Sequence, residues 1–147
     1  MRVLGIDVGR RRVGLAISDA SGTLARPLAT VTVKSAADAV DRVVAEVARL
    51  SAEEDGLAAI VVGMPARLDG SPTGETPRVA EFMAALGARV SLLIVGGDER
   101  LTSVEAESRL AIGERDWRRR KLKLDAAVAA VILQDYLDQQ SSRRSGL

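Results

Sequence analysis

The sequence contains neither cysteine nor histidine, and these two absences exclude more than any other feature of its composition. Without cysteine there is no disulfide framework and no thiolate zinc site. Without histidine the commonest general base is missing, together with the usual protein ligand of zinc, iron and copper. A metal in this protein must therefore be held by oxygen atoms, which favours Mg²⁺ or Mn²⁺.

Aromatic residues and long apolar segments are also scarce. Phe82, Trp117 and Tyr136 are the only aromatic residues. If the protein binds a nucleic acid, stacking of bases on aromatic side chains can contribute little to that binding. No segment approaches the roughly 20 apolar residues of a membrane span. No secretory signal is apparent, because Asp7 and the arginines at 10–12 interrupt the first apolar run. We therefore expect a cytoplasmic protein with no membrane partner.

The remaining composition is that of one globular domain. The chain has 147 residues, of which 47% are hydrophobic and 28% are charged. The formal net charge of +1 is uninformative, but residues 115–123 carry six basic side chains and one acid, and Arg10, Arg11 and Arg12 form a second cluster. Such clusters favour nucleic-acid phosphate as a partner. The alternative for the longer cluster is a solvated loop, which is the usual fate of a charge run.

The pattern of apolar runs predicts the element order βββαβαβαα. Strands are predicted at 3–8, 13–18, 28–33, 57–62 and 90–95, and helices after an N-cap at Ser35, after a cap at Thr76, after a capping box at 102–105 and over 124–137. Three antiparallel strands followed by αβαβα are typical of the ribonuclease-H-like α/β fold, a five-stranded mixed sheet flanked by helices. We expect a single domain over 1–140 and a flexible tail over 141–147. No oligomer seam is visible, so we expect a monomer or a weak homodimer.

Asp7 is the strongest functional signal, because it interrupts an apolar strand, VLGIDV. A buried carboxylate needs a cation, a hydrogen-bond network or a proton. The alternatives are an arginine partner with a purely structural role, or a strand end that reaches solvent. We favour a functional role, since Gly9 opens space beside it.

Two further acidic positions could join Asp7. Asp98 and Glu99 follow the predicted fifth strand, and the carboxyl ends of parallel strands are where ligands collect. Asp125 precedes the most apolar helix, where it could equally be a simple N-cap. Taken together, Asp7, Asp98 or Glu99, and Asp125 are what a site for two divalent ions requires, with the ions roughly 4 Å apart and no histidine needed.

Four motifs, in order, resemble one known family. They are GIDVGRRRVGLAISD at 5–19, VVGMPARLDGSPTGET at 61–76, DERLTSVEAE at 98–107 and KLDAAVAAVILQDYLD at 123–138. The chain is similar along its whole length to the YqgF family, also called RuvX, the bacterial nucleases that resemble Holliday junction resolvases. In two places the chain departs from the usual pattern: the loop at 65–68, and the pair Gly96-Gly97, which could move the second carboxylate.

The resemblance implies a metal-dependent nuclease that matures the 5′ end of the precursor of 16S ribosomal RNA. It implies Mg²⁺ or Mn²⁺, in two sites, on Asp7, the Asp98-Glu99 pair and Asp125, with Glu99 favoured over Asp98. Structured RNA is favoured over branched DNA as the partner. The residues that we expect to contact nucleic acid are Arg10, Arg11, Arg67, Arg118, Arg119, Arg120, Lys121 and Lys123.

Three alternatives remain open at this point. The first is a Holliday junction resolvase that acts on branched DNA. The second is a binding module whose acidic residues are structural. The third is an ATPase or sugar kinase of the actin-like type, because D-x-G followed by G-x-A-x-x-D resembles their phosphate-binding hairpin. Those enzymes clamp a nucleotide between two such domains, and this chain has the length of one.

Overall fold

The computed structural model describes residues 1–66, 71–98 and 117–145. These residues form the strands and helices β1 (Arg2–Val8), β2 (Arg12–Ser18), β3 (Ala25–Thr32), α1 (Ala36–Ser51), β4 (Leu57–Met64), α2 (Thr76–Gly87), β5 (Leu93–Asp98) and α3 (Trp117–Ser145). The helix predicted after the capping box at 102–105 lies outside the described residues.

The five strands form one mixed sheet in the order β3-β2-β1-β4-β5. Strands β1, β2 and β3 are antiparallel neighbours, and β4 runs parallel to both β1 and β5. The predicted five-stranded mixed sheet is therefore confirmed. Strand β1 lies at its centre, with the antiparallel hairpin on one side and the parallel crossovers on the other.

Helices cover both faces of the sheet. Alternation along β1 directs Leu4, Ile6 and Val8 into the core beneath α1 and α2. The opposite face packs against α3, through a second core that includes Ala16 and Val61 of the sheet and the following α3 residues: Val128, Ala129, Ala130, Val131, Ile132, Leu133 and Leu137. The apolar run predicted to lie in the interior is thus the part of α3 that covers this face.

Helix α1 begins where its sequence predicts. The Ser35 hydroxyl accepts a hydrogen bond from the Asp38 backbone N–H at 3.0 Å, and the Asp38 carboxylate accepts one from the Lys34 N–H at 2.8 Å. Two of the backbone donors near the helix start are satisfied in this way. The helix buries Val43 and Leu50 against the sheet, as the 3.6-residue spacing of its apolar positions requires.

Four elements differ from the predictions. Strand β3 begins at Ala25, three residues earlier than predicted, and its position at the edge of the sheet tolerates Pro27 within the strand. Thr76 is the first residue of α2 rather than its cap, and its hydroxyl accepts from the Thr73 N–H at 2.9 Å and donates to the Pro65 carbonyl at 2.7 Å. Strand β5 lies three residues later than predicted, since Gly96 and Gly97 pair with β4 instead of ending the strand. Helix α3 begins seven residues earlier and ends eight residues later than predicted, so it includes 141–145 of the expected tail. Arginine and lysine are good helix formers, and the basic stretch continues the helix without any apolar periodicity. None of the helices in the described residues is long and apolar enough to span a membrane.

Candidate active site at the end of the first strand

Asp7 and Asp125 lie at the same corner of the molecule. Asp7 is half-buried near the end of β1, directly opposite Gly14 of β2, and paired residues of neighbouring strands face the same side of a sheet. A Cβ on Gly14 would lie only 2.0 Å from the Asp125 carbonyl oxygen. The main chain of α3 at Asp125 therefore rests on the position across from Asp7, and the two predicted acidic residues come together.

Glycine is required at this contact for steric reasons. A Cβ at Gly14 would also meet the Asp125 carbonyl carbon at 2.2 Å and the Ala126 nitrogen at 2.8 Å, all of them backbone atoms that no rotamer change can move. Gly5, two residues before Asp7, also lies close to α3, since a Cβ on Gly5 would be 2.8 Å from the Leu133 Cβ. Because Gly5 and Gly14 have no Cβ, α3 can lie against the sheet closely enough to bring Asp125 to the end of β1.

The interpretation of Asp125 as a simple N-cap is wrong. Helix α3 begins at Trp117, so Asp125 lies inside the helix, and its carboxylate points to the β1–β2 hairpin. There Oδ2 accepts a hydrogen bond of 2.7 Å from Arg12 Nε. The side chains are only 32% and 20% exposed, so this ion pair is partly shielded from solvent. Nothing in the sequence signals a pairing across 113 positions.

The tight turn between β1 and β2 presents arginines beside this pair. The Gly9 N–H donates to the Arg12 carbonyl at 2.9 Å, and a Cβ on Gly9 would lie 2.5 Å from that oxygen. The turn therefore leaves Arg10 and Arg11 exposed at its tip. A cleft of about 310 Å³ is lined by residues 9–12 of the turn and by Asp125. The predicted basic cluster and a predicted acidic residue thus share one cleft.

An ion network that sequence reasoning missed ties this turn to α2. Arg10 Nη2 donates to Glu75 Oε1 at 2.7 Å, and Arg78 Nε donates to Glu75 Oε2 at 2.6 Å. Arg78 also donates to the Val8 carbonyl at 3.1 Å. The hydrogen bonds from Arg10 and then Arg78 hold the pKa of Glu75 below its ordinary value. Arg10 is 74% exposed on its side chain, so it is tethered at one nitrogen while most of it faces solvent.

The third predicted acidic position is only partly described. Asp98 is the last residue of β5, and β5 ends beside Met64 of β4. The side chain of Asp98, all of Glu99, Arg67 and the side chains of the basic residues Arg118, Arg119, Arg120 and Lys121 lie outside the described residues. Lys123 is exposed on α3, two residues before Asp125. Within the described part of the chain no group of three acidic residues is close enough to hold a metal ion.

A second cleft lies on the opposite face of the sheet. Its volume is about 440 Å³, and it lies between the start of α1 and α2, with Val8, Val40 and Phe82 among its lining residues. It meets the first cleft only at Gly9 and Arg10. Because Asp7 faces α3, this second cleft does not contain the acidic pair.

The match to known proteins covers nearly the whole chain. Residues 1–139 match the family model of RuvX, described as Holliday junction resolvase. The chain belongs to the RuvX family. A relative from Chloroflexus aggregans is 40% identical over 137 residues, which is 92% of each chain. A relative from Halalkalibacterium halodurans is 40% identical over 142 residues, 95% of this chain and 98% of its own. Both relatives are named as candidate pre-16S rRNA nucleases.

Solved structures of junction resolvases share the fold of this RuvX protein. Thermus thermophilus RuvC in complex with a Holliday junction substrate superposes with a TM-score of 0.56 at 19% identity, covering 96% of both chains. The fowlpox virus Holliday junction resolvase has a TM-score of 0.51 at 12% identity, covering 95% of this chain and 99% of its own. The predicted ribonuclease-H-like fold is confirmed by this likeness. Family and fold together make the chain a hydrolytic nuclease that acts on nucleic acid.

Proposed function

We propose that this RuvX protein is a divalent-metal-dependent nuclease that processes the 5′ end of the precursor of 16S ribosomal RNA, with Asp7, Glu99 and Asp125 as its catalytic residues. The observation that carries the proposal is the packing of the Asp125 main chain onto Gly14, directly opposite Asp7. This contact brings the end of β1 close to α3, beside the cleft that is lined by residues 9–12 and Asp125.

The acidic pair fits an oxygen-bound divalent cation. Asp7 and Asp125 are both half-buried, and both supply carboxylate oxygens, the ligands that Mg²⁺ and Mn²⁺ prefer. Two carboxylates at one corner repel each other unless a positive charge lies nearby. When bound, divalent ions supply an activated water and stabilise the leaving oxygen. The residues of this chain hold the ions, orient the phosphate and need no protein base.

The third ligand is proposed to be Glu99 rather than Asp98. On β5 the odd-numbered positions face α3, as shown by Gly97, where a Cβ would lie 2.8 Å from Ile132 of that helix. Gly96 faces the other way, towards the Met64 side chain. Asp7 lies on the same α3 face as Gly97. Glu99 itself lies outside the described residues, and it is preferred because the segment DERLTSVEAE at 98–107 resembles the motif of the family. Asp98 remains the second choice.

The substrate backbone is proposed to cross the arginine turn. Arg10 and Arg11 project from its tip beside the cleft that holds Asp125, and Lys123 lies on the neighbouring helix. Arginine and lysine at such positions neutralise phosphates and set the register of a nucleic acid without reading its sequence. The remaining members of the proposed interface are Arg67, Arg118, Arg119, Arg120 and Lys121.

RNA is proposed as the substrate because the relatives named above carry that assignment in their names. The competing proposal, cleavage of branched DNA, is favoured by the description of the family and by the fold of the resolvases. The one acidic corner found in the part of the chain that the structure describes suits RNA end-processing by a monomer, in the cytoplasm where ribosomes are assembled. Resolution of a symmetric junction would instead require two such corners in a dimer.

Cleavage of two labelled substrates tests the proposal. Precursor 16S rRNA and a four-way DNA junction are incubated with wild type, Asp7→Asn and Asp55→Asn in Mg²⁺, Mn²⁺ or EDTA. Asp55 is an exposed turn residue after α1 and serves as the matched control. We expect metal-dependent cutting of the RNA by wild type and Asp55→Asn, and none by Asp7→Asn. Preferential cutting of the junction would show that branched DNA, and not RNA, is the substrate. Binding of both substrates without any cutting would show a binding module instead of an enzyme.

A further inference from the structure

Arg12 is the one arginine of the turn that is directed into the acidic corner. It is the first residue of β2, two positions before Gly14 and therefore on the same face of the sheet. Its Nε lies 2.7 Å from Asp125 Oδ2, and 68% of its side chain is covered, against 26% for Arg10. Arg10 and Arg11 are exposed at the tip of the turn, whereas Arg12 forms an ion pair with Asp125, a predicted metal ligand.

The position of this guanidinium has an electrostatic consequence. Asp7 and Asp125 place two negative charges at one half-buried corner, where their repulsion is screened less than at an exposed surface. Arg12 offsets that repulsion and holds the Asp125 carboxylate towards the turn through a charge-assisted hydrogen bond. A divalent cation on the same carboxylate would offset the same repulsion. Two cations that share one carboxylate repel each other, so they cannot both bind it at full strength.

We propose that Arg12 is a positioning residue that acts as the internal counter-ion of Asp125 and competes with divalent metal for its carboxylate. Without metal the Arg12–Asp125 pair keeps the corner assembled. With metal bound the pair is weakened, and the guanidinium becomes available to the cleft that residues 9–12 and Asp125 line. This inference rests on the proposed function in one respect only, the binding of a divalent ion at Asp125.

Calorimetric titration of the metal-free protein with Mn²⁺ tests whether Arg12 and the metal ion compete for Asp125. Arg12→Gln removes the competing charge, and Arg12→Lys retains a charge at the same position. Arg89→Gln is the matched control, since Arg89 forms a similar pair with Asp41 at 2.9 Å on the exposed surface between α1 and α2. We expect Arg12→Gln to bind Mn²⁺ about tenfold more tightly than wild type, because a cation beside the divalent ion is lost. Arg12→Lys and Arg89→Gln should stay within about twofold of wild type.

Thermal unfolding gives a second readout that does not depend on activity. In EDTA, Arg12→Gln should lower Tm by about 3 °C, as expected for loss of a partly buried ion pair. In saturating Mn²⁺ that difference should vanish, because the metal replaces the guanidinium. A difference in Tm that persists in Mn²⁺ would overturn the proposal, since the pair would then be structural. So would Mn²⁺ affinity that is unchanged or weaker in Arg12→Gln.

The outcomes separate this inference from the proposed function. If wild type binds Mn²⁺, Asp7→Asn does not, and Arg12→Gln matches wild type, the metal site stands and the competition is refuted. If Arg12→Gln binds Mn²⁺ where wild type binds none, the competition is supported directly. If neither protein binds Mn²⁺, both the metal site and the competition are refuted.

Discussion

Replacing Gly14 with alanine tests whether the contact between β2 and α3 controls the site. The added Cβ would lie 2.0 Å from the Asp125 carbonyl oxygen, and the atoms that it meets all belong to the backbone. Since carbon and oxygen atoms in contact normally stay more than about 3 Å apart, the start of the covered part of α3 must retreat by about 1 Å. Asp125 would retreat with it, away from Asp7.

Two magnitudes follow from that displacement. Overpacking of a rigid contact costs about 1–3 kcal/mol of folding free energy. For a chain of this size each kcal/mol lowers Tm by about 2–4 °C. A misplacement of about 1 Å in a catalytic group costs about 100-fold in rate, because the reacting atoms no longer align. Gly14→Ala should therefore fold, melt several degrees lower, and cleave about 100 times more slowly.

The assay combines thermal unfolding with single-turnover cleavage below the melting range. Gly5→Ala overpacks the same interface, at 2.8 Å from the Leu133 Cβ, two turns further along α3 from Asp125. Gly74→Ala meets nothing within 4 Å and measures the effect of the substitution alone. We expect Gly5→Ala to lose similar stability but less than about tenfold in rate. Equal losses of rate in Gly14→Ala and Gly5→Ala would refute the argument that the Gly14 contact places Asp125.

Three further predictions concern stability and binding. Arg2 is buried and donates to the carbonyls of Leu50 and Gly56. Arg2→Met should therefore lower the free energy of unfolding by about 2 kcal/mol, measured by urea denaturation. A urea midpoint equal to that of wild type would contradict this. Backbone hydrogen bonds, chiefly from Thr23 to Asp19 and from Lys34 to Asp38, hold both carboxyl pKa values below the ordinary 3.8. Their stabilisation is complete above that value and is lost as pH falls through the folded pKa, so Asp19→Asn and Asp38→Asn should flatten the acid limb of a stability curve from about pH 6 to about pH 2. If Arg11 contacts a phosphate, Arg11→Ala should reduce the slope of the logarithm of the RNA-binding constant against the logarithm of the salt concentration by about 1, as measured by filter binding. Equal slopes for Arg11→Ala and wild type would show that Arg11 does not contact the nucleic acid.

The fold could be predicted largely from local patterns. The apolar runs of β1, β2 and β4 and the Ser35 cap of α1 are local signals, and the structure has them close to where they were expected. Boundaries were less predictable where tertiary contacts override propensity. The two glycines of β5 continue the strand, because β4 supplies a parallel partner for them. Thr76 bonds to the Pro65 carbonyl instead of capping α2.

The sequence singles out candidate acidic residues, but it does not indicate the packing that brings Asp7 and Asp125 to the same end of the sheet. Asp7 can be recognised from the sequence, because a carboxylate inside an apolar strand needs a cation, a hydrogen-bond network or a proton to offset the cost of its burial. The N-cap interpretation of Asp125 was wrong, since it depended on a helix start that lies at Trp117. The pairing of Arg12 with Asp125 joins positions 113 apart, and no local pattern encodes such a contact. One available signal was overlooked: Gly5 and Gly14, on neighbouring strands, permit the close approach of an alanine-rich helix.

The location of a bound divalent ion tests the central claim most directly. Anomalous scattering from crystals grown with Mn²⁺ would show the ion itself, independently of any substrate. The account predicts a peak within roughly 2–2.5 Å of carboxylate oxygens from both Asp7 and Asp125. A protein that cleaves RNA with Mn²⁺ but shows its only strong peak elsewhere, or bound to just one of these two residues, would contradict the account.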